Sequence, residues 1–209
     1  MINNIIVSIS DRLNEFIKNK LSLDEDKVIV SNLVDLNKNL NLEIENKLSC
    51  FLLNIEEDKI SKNSQFNNSP GQSPPIIINI YVMFAAYFTN SNYLESLRYI
   101  SLVIEFFQIY NVFDSSNTPL ISPGIDKVYV EISNVSIEEI SKLWGNIGTS
   151  YIPSIAYKIK QVKFDGNMIL ILEIILLIGV FSMNGADKVL QNMGADHYHM
   201  TGNFAVSTW

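Results

Sequence analysis

The first apolar residues of the chain fall at Ile2, Ile5, Ile6, Ile9, Leu13, Phe16, Ile17 and Leu21. That is the spacing of one face of a 3.6-residue helix and predicts a surface helix packed on a core. Residues 28–33 (VIVSNL) form a short apolar strand candidate. A polar, asparagine-rich connection leads to residues 44–55, where Leu48, Cys50 and Leu52 alternate as in a longer strand. The next segment, EEDKISKNSQFNNSPGQSPP, is rich in Ser, Asn, Pro and Gly and is the longest loop of the chain, open to a partner.

Residues 76–82 (IIINIYV) are β-branched enough for a central strand. From residue 93 to 113 the apolar residues Leu94, Leu97, Ile100, Leu102, Val103, Ile104, Phe106, Phe107, Ile109 and Tyr110 form the broad stripe of a largely buried helix. The loop SSNTPLISPG follows. Residues 128–135 alternate strictly, with Val128, Val130 and Ile132 on one face and Tyr129, Glu131 and Ser133 on the other, a half-buried strand. Ser136 with Glu139 three residues later is a capping box opening the helix IEEISKLWG. Residues 155–164 (IAYKIKQVKF) read as a further strand, and Asp165-Gly166 as a hairpin turn that pairs the next apolar segment back on it. This order predicts an α+β fold, an antiparallel or mixed sheet with helices packed mainly on one face.

The chain has 209 residues, 47% of them hydrophobic, which excludes wholesale disorder. A formal net charge of -7 with only two arginines, Arg12 and Arg98, argues against binding a phosphate backbone, so no nucleic acid is expected as a partner. The 30 Ile and 24 Asn against 6 Ala reflect substitution among physically similar side chains, so asparagine richness carries no prion-like meaning. The N-terminus lacks the basic leader and small-residue cleavage site of a signal peptide. Residues 168–183 (MILILEIILLIGVFSM) would span about 24 Å as a helix, short of the ~30 Å hydrocarbon core, and carry Glu173 in the middle. Buried strands or an interface segment fit that stretch better than a membrane anchor.

Few residues offer reaction chemistry. There is no phosphate-cradling glycine loop, no nucleophile elbow and no Cys-x-x-Cys. Cys50 lies within a strand pattern and reads as a buried, inert thiol. His197 and His199 stand beside Asp196, but His-x-His in a polar tail reads as solvated; neither a metal nor another cofactor is expected, and no enzyme activity. Glu56, Glu57 and Asp58 lack the spaced ligands and glycine of a calcium loop and read as a solvated strand end or a contact to a basic partner. Trp144 and Tyr157 are taken as core anchors, with the Trp144 indole N–H finding one acceptor.

Several segments together resemble the cap, or tail-terminator, proteins of phage-tail-like contractile injection systems of the antifeeding prophage and Photorhabdus virulence cassette type. They are NIEEDKISKN (54–63), PPIIINIYVMFAAY (74–87), the apolar helix that follows, VYVEISNVSIEEISKLWGNIG (128–148) and YIPSIAYKIKQVKFD (151–165). The resemblance implies a tail-terminator-like domain over residues 1–165, leaving 166–209 as an extension: an apolar strand segment, then an arm. It implies a homo-oligomeric ring, hexameric to match the tube and sheath beneath, that ends the inner tube and holds the last sheath layer. Such a subunit assembles in the cytoplasm and becomes part of a phage-tail-like particle. Expected assembly contacts are Glu56, Glu57, Lys59, Lys62 and Phe66 around the long loop, the loop 115–124, and Phe204 and Trp209 as anchors of the arm. Another tail-completion or connector subunit, or a membrane-associated anchor using residues 168–183, remain alternatives.

Overall fold

The computed structural model describes residues 1–35, 37, 39–59, 76–89, 92–118, 121 and 127–164. These contain three helices, α1 (Ile2–Leu21), α2 (Tyr93–Ile109) and α3 (Ile137–Ile147). The strands are β1 (Val28–Val30), β2 (Lys47–Glu57), β3 (Ile76–Tyr87), β4 (Val112–Asp114), β5 (Lys127–Ile132) and β6 (Ser154–Phe164). The strands form one six-stranded sheet in the order β1-β2-β3-β6-β5-β4. β1 pairs parallel with β2 and every other pairing is antiparallel, so the sheet is mixed and the fold α+β.

α1 buries Ile5, Ile6, Ile9, Leu13 and Ile17 on the sheet, as its periodicity predicts. It stops at Ser22, whose left-handed φ of 54° turns its N–H back to the Lys18 carbonyl, while Lys18 and Lys20 sit at the negative end of the helix. Three polar residues of the helix are buried, Ser8, Ser10 and Asn14. The Asn14 amide donates to the Val28 carbonyl at 2.9 Å, and its Oδ1 accepts from the N–H groups of Lys27 and Val28 at 2.8 and 2.7 Å. It thereby ties the helix to the first residue of β1.

α1 and α2 cover one face of the sheet. Beneath them Cys50, Ile80, Val82 and Phe84 meet an aromatic cluster of Phe106, Phe107, Phe113 and Tyr157, with Phe107 and Tyr157 ring centroids 4.2 Å apart. α3 lies on the opposite face, where Trp144 packs with Met83, Ala85, Ala156 and Ile152. The two alanines, on the adjacent strands β3 and β6, leave room for the indole. With helices on both sides, β3 is buried over almost its whole length. The helices therefore lie mainly, not wholly, on one face.

α3 begins on the expected capping box: the Glu139 N–H donates to Ser136 Oγ at 3.2 Å and the Ser136 N–H to Glu139 Oε2 at 2.9 Å. Gly148, at φ 83°, ends it.

Four expectations need correction. The helix expected through residue 113 ends at Ile109, because Val112–Asp114 pairs with β5 and puts Phe113 into the core. An Asx turn follows, with Asp114 Oδ1 accepting from the N–H groups of Ser116 and Asn117. Leu52 is about half exposed despite its alternation with Leu48 and Cys50, since a bulge breaks the register after it and β1 reaches only to Cys50. Ile132, beyond the stretch of β5 that β4 covers, is likewise half exposed. Trp144 is buried as expected, but its indole N–H has no acceptor. The paired-back strand after Asp165 and the extension 166–209 lie outside the described residues.

Candidate interaction surface

The α3 face of the sheet carries the features from which a contact surface can be built. Beyond the reach of α3, β2, β3, β6 and β5 present a row of polar side chains. The Tyr81 hydroxyl donates to Glu56 Oε2 at 2.6 Å, the Lys158 ammonium lies 5.2 Å from the centre of the Tyr81 ring, and Lys160 pairs with Glu131 at 2.8 Å. The registers Glu131 to Lys158 and Tyr129 to Lys160 place these groups on neighbouring strands. The bond to Tyr81, with the nearby carboxylates, holds Lys158 above its usual range and so fully charged.

A groove of about 580 Å3 runs along α3. Its helix wall is Glu139, Lys142, Leu143, Asn146 and Ile147, the i, i+3, i+4, i+7, i+8 row of one helix side. Phe51, Leu52 and Leu53 of β2 and the segment 32–34 supply the rest. Glu139 is committed to the cap, and its carboxyl is held below its usual pKa by the Ser136 N–H. The groove thus offers apolar walls with a polar rim.

The sequence-predicted residues are dispersed. Glu56 and Glu57 end β2, exposed, and Lys59 is exposed just beyond. Glu57 and Asp58 have interactions of their own, and the Asp58 N–H donates to the Ile77 carbonyl at 2.8 Å. Lys62, Phe66, Phe204 and Trp209, and the histidines with Asp196, lie outside the described residues. Tyr157 sits 1% exposed in the aromatic cluster, where burial pushes its phenol up. Cys50 is fully buried and burial pushes its thiol up to about 12, so it holds no thiolate near neutral pH. Among the described residues no three His, Cys, Asp or Glu side chains converge to hold a metal.

Neither the groove nor the Tyr81–Lys158 row was named from sequence. Its signals were the α3 row and the alternation of Lys158 and Lys160, both of which read equally as solvated faces.

Residues 5–170 match the Pvc16 N-terminal domain. The chain belongs to that family. Two solved structures are similar to this Pvc16-type domain. One is the sheath/tube terminator, in its extended state, of an extracellular contractile injection system: 15% identity, TM-score 0.49, covering 77% of this chain and 56% of that one. The other is the tube-terminating cap of the anti-feeding prophage: 13% identity, TM-score 0.46, covering 76% and 54%. The chain spans about half the length of these structures. No curated protein sequence matches the domain. Among the described residues no helix is long and apolar enough to cross a membrane.

Proposed function

We propose that the chain is a structural, non-enzymatic subunit that ends the inner tube of a contractile injection particle. The observation that carries this reading is membership of the Pvc16 N-terminal domain family over residues 5–170. In the proposed assembly, copies meet head to tail through two different surfaces and close into a ring, six-fold to match the tube. Closure fixes the size, and the ring surface facing away from the tube offers no copy of the site onto which the next tube layer would add. The subunit assembles in the cytoplasm and leaves with the particle.

Two features of the domain support this reading. Among the described residues both edge strands are only three residues long, which limits open-ended sheet growth between copies. Among the described residues, no strand lies outside Leu52–Ile55, next to the α3 groove. An extended segment of a sheath subunit laid there would gain main-chain hydrogen bonds and seat apolar side chains in the groove.

The test is co-assembly. Purified full-length chain is mixed with tube protein and sheath protein, and imaged by electron microscopy. Tubes of limited length with a ring at one end are expected. Tubes that grow without limit, with the chain monomeric in solution, refute the proposal.

A further inference from the structure

The four most exposed large apolar side chains among the described residues share one end of the sheet. β2 and β6 begin at that end, and β3 and β5 finish there. Leu42, 81% exposed, stands in the turn entering β2, and Leu94, 80% exposed, is in the first turn of α2 after β3. Ile137, 88% exposed, opens α3 after β5, and Tyr151, 60% exposed, precedes β6. None is buried in the core: Leu94 lies on the side of α2 away from Tyr99, and Ile137, although in line with Trp144, stands at the very start of α3, where it is left exposed. Tyr151 stands edge-on to Trp144, with ring centroids 5.8 Å apart.

The same end is acidic. Asp24 lies in the turn entering β1, Glu43 and Glu45 surround the turn entering β2, and Glu138 adjoins Ile137, all of them exposed. Lys18, Lys27 and Arg98 are already paired with Asp26, Glu25 and Glu95, so that Lys47, at the start of β2, stands against four carboxylates, Asp24, Glu43, Glu45 and Glu138, that take part in no ion pair among the described residues.

Apolar side chains held in water at this exposure lose free energy that a partner surface recovers. The acidic rim decides which partner. Two copies meeting through this end would bring like charges together, whereas an apolar surface rimmed by Lys and Arg is complementary. Anionic lipid is disfavoured by the same charges.

We infer that this end of the domain, carrying Leu42, Leu94, Ile137 and Tyr151 beside the carboxylates of Asp24, Glu43, Glu45 and Glu138, docks onto a basic-rimmed apolar surface of the last inner-tube layer. The inference rests on the terminator reading and adds which end of the subunit faces the tube.

The test uses full-length chain and purified tube protein of the same particle in a biosensor binding assay. Leu94→Asp with Ile137→Asp places charge in the apolar centre and is expected to weaken binding ~10-fold or more. Glu43→Lys with Glu45→Lys is expected to slow association and flatten its salt dependence. All four side chains are exposed, so both variants should keep the wild-type circular dichroism and melting temperature. If wild type binds and both variants bind equally well, this docking surface is wrong while the terminator reading stands. If wild type binds no tube protein, the terminator reading falls and the inference with it.

Discussion

Replacing Asn14 by alanine removes three hydrogen bonds that no other side chain among the described residues supplies. The amide bridges α1 to β1 through the Val28 carbonyl and the N–H groups of Lys27 and Val28. At ~1 kcal/mol net per bond the loss is about 3 kcal/mol. Val28 is only 4% exposed, so its N–H stays dry once the acceptor is gone, which adds about 1 kcal/mol or more. Lys27 is partly exposed and recovers its bond from water. With the Lys27 bond recovered the total is roughly 3 kcal/mol, a large share of the ~5–15 kcal/mol by which domains are stable. Urea unfolding followed by circular dichroism should show a lower midpoint at unchanged slope. The consequence reaches assembly, because β1 alone shields the Leu48–Cys50 edge of β2. Hydrogen exchange should rise first along that edge, and the variant should aggregate through it. A loss below ~1 kcal/mol, with β1 amides as protected as in wild type, would refute the account of Asn14 as the tie between helix and sheet.

Other substitutions test the remaining core and caps. Tyr157→Phe removes a hydroxyl that is buried without a partner, so stability should stay level or rise by up to ~1 kcal/mol, measured by thermal unfolding. The Cys50 thiol, pushed to about 12, should resist alkylation at pH 8 in the native protein and react only in denaturant; fast native labelling would contradict its burial. Ser136→Ala should cost ~1 kcal/mol by removing the α3 cap. The Glu139 carboxyl titrates below its unfolded value of 4.5, so its support of the cap is complete above that pH and lost as pH falls through the folded value. Glu139→Gln should flatten that acid limb of the stability profile. Deleting residues 184–209 should leave the described domain folded but weaken ring formation or sheath attachment, and unaltered assembly by sizing and electron microscopy would dismiss the arm.

What could be read from sequence was whatever buries a periodic face. α1 was legible because every third or fourth residue is Ile, Leu or Phe, and α3 because Ser136, Glu139 and Gly148 mark both its ends. Where an apolar run continues across a boundary, periodicity is blind. Tyr110, Val112 and Phe113 extend the stripe of α2, and only pairing with β5 shows that the chain has changed from helix to strand. Leu52 follows the right alternation, yet its burial depended on how far β1 extends and on a bulge, both tertiary facts. The missing acceptor for Trp144 is likewise a matter of what neighbouring strands contribute, since Ala85 and Ala156 give the indole space and no oxygen side chain.

The proposed contact surfaces are the least legible, for a related reason. Leu42, Leu94, Ile137 and Tyr151 are scattered over more than a hundred positions and sit in turns or at helix starts, where an apolar residue breaks no pattern. A residue that meets another chain answers to that chain's surface and leaves no period in its own. Only the sheet, by gathering the ends of β2, β3, β5 and β6, makes the four neighbours of one end. Glu56 and Glu57 show the converse. Their run of charge is conspicuous in sequence, but Tyr81 already engages Glu56, and Glu57 has interactions of its own. On the docking surface proposed above, the quiet exposed apolar residues therefore carry more of the specificity than the conspicuous charged ones.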